Sequence, residues 1–141
     1  MKLFIAIIFF TFSSNLLASN LPQTVEELQQ RYLSSYQSKD LEGIYNLIDW
    51  RGVSRYKKKM VKVYTRNSLG KKIKDTNFEV IDKSLLESFT VGEKSYKTNL
   101  SVSQLFRIEF DNPEREEFLV YLVGKGPEGY QFSISVNADS E

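Results

Sequence analysis

The sequence predicts an α+β domain in which N-terminal helices pack on a curved, mainly antiparallel sheet. The first observation behind this prediction is that apolar residues recur at helical spacing between residues 24 and 69. The second is a change to alternating apolar and polar residues from Asn77 onward, which is typical of strands with one buried face. No internal repeat or linker separates the two halves, so the chain is predicted to form one domain.

The N-terminal segment precedes this domain and has the layout of a secretory signal peptide. Lys2 is followed by an apolar run over residues 3–12 and then by small residues around Ala18. That run is shorter than the roughly 20 residues that a membrane-spanning helix requires. We therefore predict a signal peptide over residues 1–18 and a single domain over residues 19–141, with a retained N-terminal anchor as the alternative.

The chain contains no cysteine, which excludes a disulfide framework and a lipid anchor on an N-terminal cysteine. A domain of this kind must be held together by its hydrophobic core alone. Small extracellular domains of eukaryotes are usually cross-linked by disulfides. The predicted location is therefore a bacterial-type periplasm or the external medium.

Two helices are predicted at the start of the domain. Thr24 precedes Glu27 by three positions, which is the pattern of a capping box, and it begins a helix over residues 24–38. Asp40 is placed to cap a second, shorter helix that ends before the sequence DWRGV.

A third helix is predicted between Ser54, as its N-cap, and Gly70, as its terminator. Its β-branched residues also suit a strand, which is the alternative. The helical spacing predicts a buried apolar side, made of Tyr56, Met60, Val63 and Tyr64.

The sheet is predicted from two alternating segments. The even-numbered positions from Tyr96 to Phe110 are mostly apolar and are expected to share one face of a strand. Gln104 is the only amide or charged side chain among them. A strand of this length is expected to bend or to carry a bulge, because sheets twist. The last segment, EEFLVYLVGKGPEGYQFSISV, predicts a hairpin around the turn GKGPEG.

This arrangement resembles the NTF2-like family, also called the SnoaL-like or cystatin-like α+β cones. The residues that carry the resemblance are LQQRYLSSYQSKDLEGIYNLIDW and the closing hairpin FLVYLVGKGPEGYQFSISV. The resemblance covers nearly the whole predicted domain. It implies a half-open cone that encloses a pocket, often within a dimer formed sheet to sheet, and it makes a homodimer possible. Because the family contains both enzymes and proteins that only bind, the fold leaves the function open.

The sequence lacks the residues of several common catalytic sites. It has no histidine and no cysteine, which excludes the usual nucleophilic triads and soft-metal sites. Its acidic residues are scattered and it has no phosphate-binding glycine loop, so we predict neither a metal nor another cofactor. A metal-free lyase or isomerase that uses Asp and Tyr is still conceivable.

Candidates for such chemistry lie around the second helix. Asp40, Tyr45 and Asp49 are the nearest candidates by position, with Trp50 beside them. Purely structural roles are favoured for all four: a helix cap, a core residue, a turn residue and a buried plug.

Gln104 is a sharper candidate for a ligand pocket, together with Tyr45 and Trp50. It is the only amide or charged side chain in the apolar phase of its strand, and a buried amide must find hydrogen-bond partners. A ligand or water in the cone could supply them. A bulge that turns Gln104 outward, or a hydrogen bond to helix backbone, is the favoured alternative.

The last notable feature is a basic run. Residues 51–74 contain ten Lys or Arg residues and no acid, whereas the rest of the predicted domain has eight basic and eighteen acidic residues. On a helix, five of these cations form a stripe that could attract an anionic lipid surface, a polyanion or an acidic protein. The stripe residues are Arg55, Lys58, Lys59, Lys62 and Arg66.

Two further arguments bear on this stripe. Pairing with acids of the same chain is the favoured alternative to an external partner. Nucleic acid is not expected, because the chain has a predicted export signal and a nearly neutral total charge. In addition, the aromatic residues of the helix are predicted to face the core and not to form an exposed stacking platform. Any membrane contact is expected to be peripheral at most.

The leading expectation from the sequence is an exported, non-enzymatic domain that binds a small ligand or a protein partner through its cone pocket or sheet. The alternatives are the metal-free enzyme and attachment to an anionic envelope surface through helix residues 55–66.

Overall fold

The computed structural model describes residues 20–82 and 88–138, and the predicted signal peptide lies outside these ranges. Within these described ranges three helices precede two antiparallel sheets, which confirms the α+β class. The helices are α1 (Val25–Gln37), α2 (Leu41–Tyr45) and α3 (Arg55–Ser68). The strands are β1 (Ile73–Val80), β2 (Phe89–Val91), β3 (Lys94–Thr98), β4 (Val102–Phe110), β5 (Glu117–Gly126), β6 (Gly129–Ser133) and β7 (Ser135–Asn137).

The helices begin where the capping residues predict. Thr24 Oγ1 accepts a hydrogen bond from Glu27 N at 3.1 Å at the start of α1. The Glu27 carboxylate accepts from Gln23 N at 2.7 Å, so the capping box closes one residue before the cap itself. Asp40 Oδ1 accepts from Gly43 N at 2.9 Å and starts α2. α3 begins after its N-cap Ser54 as predicted.

The strands form an open four-stranded sheet in the order β1-β4-β5-β6 and a three-stranded sheet in the order β2-β3-β7. The predicted long strand is divided at Asn99–Ser101, so that β3 and β4 belong to different sheets. The register also shifts between Val102 and Gln104. The expected bend and bulge are therefore both present.

The side-chain amide of Asn99 stabilises the break between β3 and β4. Its Nδ2 donates to Asp49 O at 2.6 Å and to Arg51 O at 3.1 Å. Its Oδ1 accepts from Ser133 Oγ and from Ile134 N, both at 2.9 Å. One side chain thereby ties the loop after α2 to the end of β6.

The core lies between α1 and the inner face of the four-stranded sheet, and it is aromatic. Tyr32, Phe106 and Phe132 are fully buried, and the Tyr32 ring centroid lies 5.5 Å from that of Phe106 and 5.7 Å from that of Phe132. Tyr121 stacks on Phe132 with centroids 4.4 Å apart. Aromatic side chains therefore fill the space between helix and sheet at this level, where a cone would have its cavity.

α3 is rotated relative to the prediction from its spacing. Tyr56 is 74% exposed, Tyr64 is 60% exposed and Val63 is 39% exposed, so the prediction of a buried side made by these residues is wrong. Thr65 and Ser68 are buried in their place.

The reason for this rotation lies in the tyrosines beneath α3. The Tyr36 hydroxyl donates to Ser68 O and, at 2.9 Å, to Lys71 O, and the Tyr45 hydroxyl donates to Lys62 O at 3.2 Å. Buried hydroxyls need polar partners. The helix therefore turns backbone carbonyls and its small polar side chains toward them.

Candidate functional site

The predicted catalytic candidates do not form one site. Asp40 is exposed and its carboxylate caps α2. Asp49 is buried, and its two oxygens accept from Arg51 Nε at 2.9 and 3.0 Å and from Arg51 Nη2 at 2.7 Å. Burial raises the pKa of the Tyr45 phenol, whose hydroxyl donates to a main-chain carbonyl of α3. Among these residues no carboxylate meets a tyrosine hydroxyl.

Tyr45 and Trp50 lie against the inner side of α3. The Trp50 Nε1 donates to Tyr45 O at 2.9 Å, and the two ring centroids are 6.3 Å apart. Lys62 Nζ lies 4.7 Å from the Tyr45 ring centroid and 5.9 Å from that of Trp50. The two aromatic rings therefore contact the ammonium group of a stripe residue by cation–π interaction.

Gln104 is separate from that pair. It lies opposite Val123 on β5, which in turn lies opposite Phe132 on β6, so it shares the inner face of the sheet with the core. The bulge precedes it in the strand, yet its Oε1 is buried and has no hydrogen-bond partner among the described residues. A buried oxygen without a partner is rare in folded proteins and marks a place for a polar group.

Replacing Gln104 with methionine tests this environment. If the core contains no partner for Oε1, Gln104→Met is expected to raise the free energy of unfolding by about 1 kcal/mol, because an unsatisfied buried acceptor costs about that much or more. Urea denaturation with an unchanged m-value would measure the gain. A loss of stability of similar size would contradict the expectation and show that Oε1 has a partner in solution.

The buried tyrosines predict sensitivity to alkali. Burial raises the pKa of Tyr32 and of Tyr121 above the ordinary value of 10.0. Below about pH 10 both the folded and the unfolded chain keep these protons, so the stability does not change on this account. Above about pH 10 the unfolded chain loses protons that the folded chain retains, and stability falls by about 1.4 kcal/mol per pH unit for each such tyrosine.

Tyr32→Phe removes one of these groups. We expect it to reduce the decline in unfolding free energy between about pH 10 and pH 11. Denaturant titrations at a series of pH values would measure the decline in both proteins. An equal decline in the two proteins would contradict the assignment to Tyr32.

Nine of the ten cations of the basic run fall into two groups in the structure, and the tenth, Lys57, bonds Ser135. Four cations of the run pair with acids: Arg51 with Asp49, Lys71 with Glu117, Lys72 with Asp111 and Lys74 with Glu109. In contrast, the five stripe residues make no ion pair within residues 20–82 and 88–138. Pairing with acids of the same chain therefore explains the cations at the two ends of the run. It does not explain the stripe residues on α3 between them.

The outer surface of α3 has two sides that run along the helix. Its cationic side consists of Arg55, Lys59, Lys62 and Arg66, all of them exposed. Its apolar side consists of Tyr56, Met60, Val63 and Tyr64, of which Met60 is half-buried. Each set repeats at intervals of three or four residues, so the two sides are adjacent rows on one surface. We call these two rows together the α3 outer face; Lys58 is half-buried at its border.

A shallow groove of about 260 Å³ extends the apolar side toward the sheet. Its lining includes Val61 and Tyr64 of α3 and Val120 and Leu122 of β5.

The apolar side of α3 is the functional feature that the sequence prediction missed. The helical spacing identifies a row of aromatic and aliphatic residues, but it does not say whether the row faces the core. The sequence does contain one indication of the observed rotation. Thr65 and Ser68 are small and share a side of the helix with Val61, and this is the side that is buried.

None of the helices in the described part of the chain is long and apolar enough to cross a bilayer. Comparisons with protein-family models, with curated proteins and with solved structures gave no match.

Proposed function

We propose that this chain is an exported, non-enzymatic domain of the NTF2-like class that attaches to an anionic surface of the cell envelope through the α3 outer face. The observation that carries the proposal is the row of exposed cations on α3 that has no ion pair among the described residues, although nearby cations of the same run are paired. The signal peptide predicted from the sequence agrees with a location in the envelope.

Clustering these cations has a cost in the isolated protein. Arg55 and Lys59, and likewise Lys62 and Arg66, are four residues apart on one helix. Like charges at this spacing destabilise a helix by about 0.2–0.5 kcal/mol for each pair. An anionic partner removes this repulsion and gains the attraction, and a cation near an anionic membrane surface contributes about 1 kcal/mol.

Binding of a small polar molecule beside Gln104 is a second candidate function, although aromatic side chains fill the space between α1 and the sheet. The buried Oε1 of Gln104 favours it, because this oxygen lacks a hydrogen-bond partner among the described residues. The metal-free lyase or isomerase has less support, since Asp40, Tyr45 and Asp49 bond to separate partners.

Attachment to an anionic surface is tested by charge reversal. The variant Lys59→Glu, Lys62→Glu and Arg66→Glu is expected to bind phosphocellulose resin and phosphatidylglycerol vesicles at least about 100-fold more weakly, because three favourable charges become repulsive. The wild-type chain is expected to dissociate as NaCl rises from about 50 mM to about 500 mM, since salt screens such contacts.

A matched control variant reverses three other cations. Lys94, Arg115 and Lys125 are also exposed and make no ion pair within the described residues. Reversing all three changes the net charge by the same amount, and this variant is expected to retain most of the binding. Equal losses in the two variants, or binding that is insensitive to salt, would overturn the proposal.

A further inference from the structure

We infer that the anionic surface is a phospholipid bilayer, and that Tyr56, Val63 and Tyr64 enter the layer between its headgroups and acyl chains. This inference rests on the proposed function and names its partner. A hydrophilic polyanion would need only the cationic side of α3. The apolar side needs a partner that offers hydrocarbon beside negative charge.

The exposure of the apolar side is the first step in the argument. Tyr56 and Tyr64 are the most exposed aromatic side chains among the large hydrophobic residues of the described chain, at 74% and 60%. A single exposed hydrophobic residue is ordinary, whereas a contiguous exposed row marks an interaction site. Tyrosine is also suited to a bilayer surface, because its ring is apolar and its hydroxyl can remain in contact with water and headgroups.

The second step is the arrangement of the two sides. The cationic and apolar rows lie next to each other along one helix of 14 residues, which is about 21 Å long. A bilayer surface presents anionic headgroups and the start of the hydrocarbon layer within a short depth. A helix lying flat on that surface brings both rows into contact with it, which is how amphipathic interfacial helices bind.

The third step is that the fold holds the helix in this orientation before binding. Lys57 Nζ donates to Ser135 O at 2.8 Å and to Ser135 Oγ at 2.6 Å near the start of α3. The Tyr36 hydroxyl bonds Ser68 O at its end. Contacts at both ends fix the rotation that turns Tyr56 and Tyr64 outward, so little ordering of the helix remains to oppose binding.

The experiment uses the chain from Ser19, which contains all the described elements and the whole of the core cluster. Sedimentation with vesicles of phosphatidylglycerol and phosphatidylethanolamine is compared with retention on phosphocellulose. The variant Tyr56→Ser, Tyr64→Ser is expected to bind vesicles about 10- to 100-fold more weakly, because two partly apolar rings no longer leave water. Its retention on the resin is expected to stay within about twofold of wild type, because the cations are unchanged.

The control variant is Val80→Ser, Val91→Ser, which removes apolar side chains that are 89% and 62% exposed elsewhere on the surface. It is expected to bind vesicles like wild type. Circular dichroism would establish that all the variants are folded.

A second measurement locates the ring directly. A tryptophan introduced by Tyr56→Trp is expected to shift its fluorescence to the blue on vesicle binding and to be quenched by lipids with brominated acyl chains. A tryptophan introduced by Phe118→Trp is the control, because Phe118 is 49% exposed on the sheet. Subtraction of the wild-type signal removes the contribution of Trp50.

The outcomes separate the two proposals. Undiminished vesicle binding by Tyr56→Ser, Tyr64→Ser, together with loss of binding after reversal of Lys59, Lys62 and Arg66, would overturn insertion into the bilayer and leave attachment to an anionic surface standing. Retention on the resin without any vesicle binding by wild type would also overturn insertion, and it would favour an acidic protein or polymer. Wild-type binding by the charge-reversed variant would overturn the proposed function itself.

Discussion

Replacing Phe132 with alanine is expected to lower the free energy of unfolding by about 3–5 kcal/mol, which is the usual cost of removing a buried phenylalanine. Phe132 is fully buried, and its ring contacts those of Tyr32, Phe106 and Tyr121. These three neighbours belong to α1, β4 and β5, so they have little freedom to collapse into the space. The midpoint of urea denaturation would measure the loss.

The control for this prediction is Phe118→Ala. Phe118 lies on the outer face of the same sheet, where the Arg107 guanidinium lies 3.9 Å from its ring centroid. Because Phe118 is 49% exposed, its removal is expected to cost less than about 1.5 kcal/mol. Similar costs for the two substitutions would contradict a core centred on the aromatic residues beneath α1.

Asn99→Ala is expected to be the second most damaging change, with a loss of about 2–4 kcal/mol. Its amide joins four polar groups, and truncation leaves the carbonyls of Asp49 and Arg51 and the N–H of Ile134 without that partner. Each unsatisfied buried group costs about 1–3 kcal/mol, and partial access of water reduces the sum. Thermal and urea denaturation would measure the loss.

Two comparisons make the Asn99 prediction specific. Asn99→Asp retains the acceptor atoms but loses the donor to Asp49 O and Arg51 O, so it is expected to be destabilising as well. Asn67→Ala replaces an exposed asparagine within α3 by a better helix former, and its effect is expected to be within about 0.5 kcal/mol. A neutral Asn99→Ala would show that the loop after α2 is held by other contacts.

Much of the fold follows from local sequence. Thr24, Asp40 and Ser54 each cap the predicted helix, because the capping bond involves only residues two or three positions away. The GKGPEG turn and the alternation of the last strands likewise depend on neighbours. The division of the segment from Tyr96 to Phe110 into two sheets depends on Asn99 meeting Asp49 and Ser133, which are distant in the sequence.

The candidate site was predictable only in part for the same reason. The positions of the cations on α3 follow from helical spacing. Whether a cation of the run forms an ion pair does not follow from helical spacing. Lys71 bonds Glu117 and Lys72 bonds Asp111, and these partners are 46 and 39 positions away in the sequence. The outward rotation of Tyr56 and Tyr64 depends on where the hydroxyls of Tyr36 and Tyr45 meet the helix, and no local pattern encodes that.

The bonds from these two hydroxyls end on main-chain carbonyls of α3 and of the turn that follows it. Every residue type that fits the helix has such a carbonyl. The hydrogen bonds that hold α3 therefore do not depend on which side chains point outward. Substitutions of the exposed residues Arg55, Tyr56, Lys59 and Tyr64 are then expected to change stability by about 0.5 kcal/mol or less. The outward side chains of α3 can therefore change, by natural mutation or by directed selection, without loss of the fold. Such changes can alter what the helix binds.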